Sequence, residues 1–129
     1  MRRRDLLSAL AVLPFAGAAQ AGDKKKPGGK GYLQLPTLTA MIFRPNGERG
    51  VLTIEAGIDT PDPALLPRVM ELVPRLRDAY ASTLQVFGAN LRPGAAPDLD
   101  RLEAMLQADT DRVVGRRGAR ILFGTTLVN

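Results

Sequence analysis

The sequence contains no histidine, no cysteine and no tryptophan, and these absences remove most catalytic chemistry before any motif is sought. Without cysteine there is no disulfide framework, thiolate metal site, covalently attached haem or iron–sulfur cluster. Without histidine the usual imidazole base and metal ligand are missing as well. Hydrolytic triads and zinc chemistry are therefore set aside, and no cofactor, metal or catalytic residue is expected. Aromatic residues make up 5% of the chain, few for stacking nucleic-acid bases. What is present suits one globular domain: 129 residues, 45% hydrophobic and 24% charged, a balance that can fill a core.

The net charge of +5 and a pI near 10.2 suggest a nucleic-acid binder until the charges are placed. Arg2, Arg3 and Arg4 against Asp5 give +2, and Lys24, Lys25, Lys26 and Lys30 against Asp23 give +3. From Tyr32 onward 11 Arg balance 11 Asp plus Glu. The excess lies outside the domain, so a basic groove for phosphates has no support and no nucleic-acid partner is expected.

Residues 1–21 read as a charged start, an apolar run from Leu6 to Ala18 and a small-residue exit, Ala19-Gln20-Ala21. That is the form of a cleavable secretory signal peptide, with Ala19 and Ala21 marking the A-x-A cleavage site. Arg3, Arg4, Leu6 and Leu7 fit the bacterial twin-arginine pattern, the alternative being a general Sec signal with an incidental arginine cluster. Leu6 to Ala21 is 16 residues, broken by Pro14, Gly17 and Gln20, below the roughly 20 a helix needs to cross a bilayer. The expected location is the periplasm. Residues 22–31 contain no apolar residue beyond glycine and proline and read as a flexible basic linker, whose Lys24 to Lys26 cluster could touch anionic lipid headgroups. Its glycines lack the spacing and the hydroxyl of a phosphate loop.

From Tyr32 the pattern becomes structural. Thr37 to Phe43 and Val51 to Ile58 are β-rich runs separated by Pro45-Asn46-Gly47, a hairpin signal. In the second run Leu52, Ile54, Ala56 and Ile58 share one face, that of a half-buried strand. In the first, Leu38, Ala40 and Ile42 make one face, while Met41 and Phe43 make the other apolar too, as in a strand that is central or covered on both sides. Asp62-Pro63 opens a helical region, and Pro74 divides it into two helices or one kinked helix. Leu76, Tyr80, Leu84 and Phe87 form the stripe of the second piece. Asp98 or Asp100 caps the next helix, with Asp100 and Glu103 spaced as a capping box, and Gly115 stops it. Residues 119–128 read as a last strand. The expectation is an α+β domain over residues 32–129, order ββαααβ, with a three-stranded sheet packed against about three helices.

At this level the chain resembles the periplasmic domain of the flagellar basal-body-associated FliL proteins, whose fold is similar to the stomatin-type (SPFH) domain. The likeness spans residues 32–129. It rests on Tyr32-Leu33-Gln34-Leu35-Pro36, on Arg49-Gly50-Val51-Leu52-Thr53-Ile54-Glu55, on Val73-Pro74-Arg75-Leu76-Arg77-Asp78-Ala79, and on Thr110-Asp111-Arg112-Val113-Val114-Gly115 followed by residues 121–129. The resemblance implies a non-enzymatic, oligomer-forming envelope protein that supports the flagellar stator or basal body. One departure stands out: the family carries an N-terminal membrane-spanning helix where this chain has a signal peptide. The alternative is an exported SPFH-like module whose partner is unrelated to motility.

Other polar features read blandly. Asp98/Asp100 and Asp109/Asp111 are i, i+2 pairs, pointing about 200° apart on a helix, so they read as caps and solvated positions rather than chelating pairs. Arg77-Asp78 reads as surface ion pairing. Ser82 has no histidine to activate it, and Arg116 and Arg117 suit the negative end of the third helix. In the last strand, strict alternation puts Ile121, Phe123 and Leu127 on one side and Leu122 and Val128 on the other. Leu122 and Val128 are accordingly the expected interface of a homo-oligomer.

Overall fold

The computed structural model describes residues 31–129. The signal motif at Arg3, Arg4, Leu6 and Leu7, the cleavage positions Ala19 and Ala21, and the Lys24 to Lys26 cluster lie outside the described residues. The fold is α+β, with a four-stranded antiparallel sheet and three helices: β1 (Tyr32–Gln34), β2 (Leu38–Phe43), β3 (Arg49–Asp59), a 3₁₀ turn at Pro63–Leu65, α1 (Leu66–Glu71), α2 (Val73–Ala89), α3 (Leu99–Val114) and β4 (Arg120–Val128).

The sheet has four strands, where three were expected, because the run before Pro36 is itself a strand. Residues 52–54 of β3 pair with both β2 and β4, and residues 57–59 with both β1 and β4. A strand has two edges, so β1 and β2 follow one another along one edge of β3 while β4 occupies the other. Leu35 N–H still reaches Ala56 O at 3.0 Å. Pro36 then interrupts the lane, since proline has no N–H to offer a ladder.

The registers contain a second feature. Between β1 and β2 the pairing changes from Gln34↔Gly57 to Leu38↔Ile54, and in β4 from Phe123↔Ala56 to Thr126↔Ile54. Each neighbour of β3 thus carries one extra residue, at 36–37 on one side and at 124–125 on the other, and both surpluses face Glu55. Bulges sharpen local twist. The two fall at one level and make a crease in the pairing on both sides of β3, opposite Glu55.

The core lies on the helix side of the sheet. Leu52, Ile54, Ala56 and Ile58 of β3 and Leu38, Ala40 and Ile42 of β2 face Leu76, Tyr80, Leu84 and Phe87 of α2 and Leu102, Leu106 and Val114 of α3, all buried. The α2 stripe is the one its spacing predicts. Asp62 caps the 3₁₀ turn through Ala64 N–H at 3.0 Å. The helical region splits at Leu72, because Pro74 has no N–H for the carbonyl of Met70; the result is two helices.

Asp98, not Asp100, caps α3, accepting from Arg101 N–H at 3.0 Å. Asp100 sits one residue inside the helix, so the Asp100/Glu103 capping box does not form. Gly115 ends α3 in the left-handed region, φ +87°. The basic group bonded to that end is Arg68 of α1, whose Nε donates to Val114 O at 2.9 Å; Arg116 instead lies 3.8 Å from Asp62.

Candidate interaction surface

On the side of the sheet away from the helices, β3 presents Arg49, Val51, Thr53, Glu55, Gly57 and Asp59 in order, as the period of 2 requires. Cross-strand neighbours extend each position into a row. Phe43 lies beside Arg49, Met41 beside Val51, and Thr39 and Leu127 flank Thr53. Beyond the crease, Gln34 and Leu122 flank Gly57, and Tyr32 and Arg120 flank Asp59.

The crease therefore divides this face in two. The half toward the hairpin is apolar: Met41 is 52% exposed, Phe43 38%, Val51 42% and Leu127 57%. Among the described residues β2 is an edge strand whose apolar second face is exposed, not covered as its sequence suggested. The other half is polar. The Tyr32 ring lies against Gly57, where any side chain would collide with it. Its hydroxyl is 3.4 Å from Gln34 Oε1. Burial, then the nearby carboxylates of Glu55 and Asp59, raise the Tyr32 pKa above the usual phenol value. Among the described residues Asp59 Oδ1 is buried with no hydrogen-bond partner.

The same register corrects the expected interface. The surplus residue in β4 reverses the alternation after Phe123, so Ile121, Phe123, Thr126 and Val128 share the helix side with Ile58, Ala56, Ile54 and Leu52, while Leu122 and Leu127 share the open face. Leu122 and Val128 lie on opposite faces and cannot form one patch. Val51 and Leu127 take their place beside Met41 and Phe43. The sequence held half of this signal in the Met41/Phe43 alternation. It gave no sign that Leu127 joins them, because a bulge leaves no mark in hydropathy.

The sheet edges are covered in part. Arg44 N–H bonds Glu48 O at 2.8 Å, which fixes Leu38, Ala40 and Ile42 as the residues bonded to β3 and turns the peptide groups of Thr39, Met41 and Phe43 outward. Phe43 O accepts from Gly94 N–H at 3.0 Å. Gly88 of α2 sits so close to Met41 O that any Cβ would overlap it. A groove of about 370 Å³ remains beside this edge, lined by Thr39, Met41, Phe43, Ala81, Gln85 and Ala89. On the outer edge of β4, the Gln107 side chain takes the place of a further strand: its Nε2 donates to Ala119 O at 2.8 Å and its Oε1 accepts from Ile121 N–H at 3.0 Å.

The remaining polar residues are structural. Asp109 is buried, not solvated: it accepts from Thr83 Oγ1 and pairs with Arg112 at 2.9 Å. Thr110 Oγ1 donates to Leu106 O at 2.8 Å, so the 2.6 Å contact with Tyr80 has the tyrosine as donor. Burial raises the Tyr80 hydroxyl to a pKa of about 12, and the nearby Asp109 carboxylate acts in the same direction. Ser82 is exposed on α2. Arg77 and Asp78 line a shallow groove with Thr37, Thr39 and Pro74. Among the described residues no group of three or more carboxylates is placed to hold a metal ion, and no helix is long and apolar enough to cross a membrane. No protein-family model matches the chain, and no curated protein matches it significantly.

Proposed function

We propose that the chain is a non-enzymatic interaction protein of the periplasm, similar to the FliL domain, that supports the flagellar motor through protein contacts. The observation that carries this reading is the apolar half of the open sheet face, where Met41, Phe43, Val51 and Leu127 stand in water with no role in the core. Contiguous exposed apolar side chains rimmed by charge mark a contact surface. The α+β arrangement of an antiparallel sheet backed by helices is compatible with the SPFH-like expectation, and the FliL-like segments around Arg49 to Glu55 supply part of the surface itself.

One observation favours a second reading. The A-x-A exit at Ala19 and Ala21 makes the signal cleavable, whereas FliL proteins are tethered; an exported SPFH-like module with a partner outside the motor fits that difference. One experiment tests the signal and a second separates the readings. Changing Arg3 and Arg4 together to Lys traps a precursor inside the cell if the signal is of the twin-arginine type; normal processing of that variant would refute it. Deleting the gene reduces swimming in soft agar on the motor reading and leaves it unchanged on the alternative.

A further inference from the structure

We infer that the outer edge of β2 takes an extended peptide segment of a partner protein, added antiparallel as a further strand in the groove between β2 and α2. This rests on the reading of the chain as an interaction protein and goes further by naming the form and chemistry of what it contacts. The backbone supplies the first argument. The peptide groups of Thr39, Met41 and Phe43 turn away from β3, and among the described residues nothing bonds Thr39 N–H, Thr39 O or Met41 N–H. Donors and acceptors at that spacing are matched by another strand. Edge strands are ordinarily blunted by charge, proline or a bulge. From Leu38 to Phe43 there is no charged residue and no proline, and the register with β3 is unbroken.

The groove supplies the second. Two hollows, of about 440 and 370 Å³, meet at Thr39 and Ala81 and together follow the edge along residues 37–43, a length of about 20 Å at the rise of a strand. The opposite wall is a stripe of α2 at every fourth residue, Arg77, Ala81, Gln85 and Ala89, all exposed. The two alanines leave room for the side chains of an added strand that point toward α2, opposite Ala40 and Ile42, and apolar ones of medium size fill it. A residue opposite Met41 points the other way and extends the apolar row of the open face. At the Leu38 end Arg77 and Asp78 stand together, a donor beside an acceptor, which one carboxamide side chain answers with both of its halves. At the Phe43 end the edge closes, because Gly94 N–H holds Phe43 O and Gly88 abuts Met41 O, so the segment is short. A second copy of this chain fits less well: its own β2 lies in the same recess, and a groove does not enter a groove, while Gln107 already occupies the outer edge of its β4.

The probe is a fluorescein-labelled synthetic peptide, Lys-Lys-Val-Ile-Val-Thr-Gln-Thr-Lys-amide, whose six central residues run antiparallel to residues 37–42 with the glutamine opposite Leu38. Fluorescence anisotropy with the full chain should show saturable binding, and hydrogen exchange should slow at the Thr39 and Met41 amides. N-methylating the peptide threonine that faces Thr39 removes the N–H that bonds Thr39 O and should weaken binding by about tenfold. Ala81→Phe, which fills the groove from an exposed helix position, should weaken it as much, with circular dichroism checking that the fold is kept. The peptide of reversed sequence, which carries its glutamine to the Phe43 end, should bind more weakly. No saturable binding, unchanged exchange at both amides, or an affinity indifferent to N-methylation or to Ala81→Phe would each overturn strand addition at this edge, and equal affinity for the reversed peptide would overturn the antiparallel register. The export and swimming tests do not depend on any of these results, so failure of the groove and failure of the periplasmic reading are separately visible.

Discussion

On the helix side of β3, Leu52, Ile54, Ala56 and Ile58 are at most 1% exposed; on the other side of the same strand, Val51 and Glu55 both stand in solvent. The helix side is decided by packing: each position is buried in the core that the sheet shares with the helices, and only an apolar side chain of suitable size fits. Toward the hairpin the open side meets no such demand, so folding does not explain why Met41, Phe43, Val51 and Leu127 are apolar while Glu55 at the crease and Asp59 beyond it are acidic. A patch that folding does not require is where contact with another molecule is the better explanation.

The sharpest way to break this contrast is to truncate one residue on each side. Ile54→Ala should destabilise the fold by about 2–4 kcal/mol, through lost burial and the cavity left behind, whereas Val51→Ala should stay within about 0.5 kcal/mol of wild type. Urea titrations of the two variants decide it. Equal losses would mean that the open face belongs to the folding core.

The two tyrosines carry the same contrast in their protons, Tyr32 on the open face and Tyr80 behind the sheet. Because the folded chain holds Tyr80 protonated up to a pKa of about 12, its contribution is fully present below the unfolded value near 10 and is lost as pH rises through 12. Stability should fall by about 2–3 kcal/mol across that window. Tyr80→Phe should remove this slope, and an unchanged slope would place its origin elsewhere. A smaller effect tests how closely the helix side is closed. Gly88→Ala must push α2 off the Met41 carbonyl and should cost about 1–3 kcal/mol, read as a lowered denaturation midpoint with no change in the open face. A neutral Gly88→Ala would show the helix layer to be looser than the contact implies.

Much of the helix side was legible in the sequence, because long periodic elements repeat their signal. Leu76, Tyr80, Leu84 and Phe87 mark α2 at four positions, Leu52 to Ile58 mark β3 at four, and the Asn46-Gly47 turn joins β2 to β3 in the expected antiparallel pair. β1 escaped notice because three residues before a proline are too few to show a period. Asp109 was read as surface because its partner Thr83 lies 26 residues away, and no local pattern announces a buried polar pair across two helices. The open face was half legible. Met41 and Phe43 alternate with the core residues of β2, but Leu127 was assigned a side by counting in twos through a strand that does not count in twos.

That miscount has an evolutionary side. Loops absorb gained or lost residues freely, and at 124–125 a strand can do the same. Removing Gly124 or Thr125 would take out the surplus, restore plain alternation and leave Thr126, Leu127 and Val128 opposite Ile54, Thr53 and Leu52, so Leu127 would stay on the open face. Related chains should therefore be free to differ by one residue at this point and still present the same contact surface.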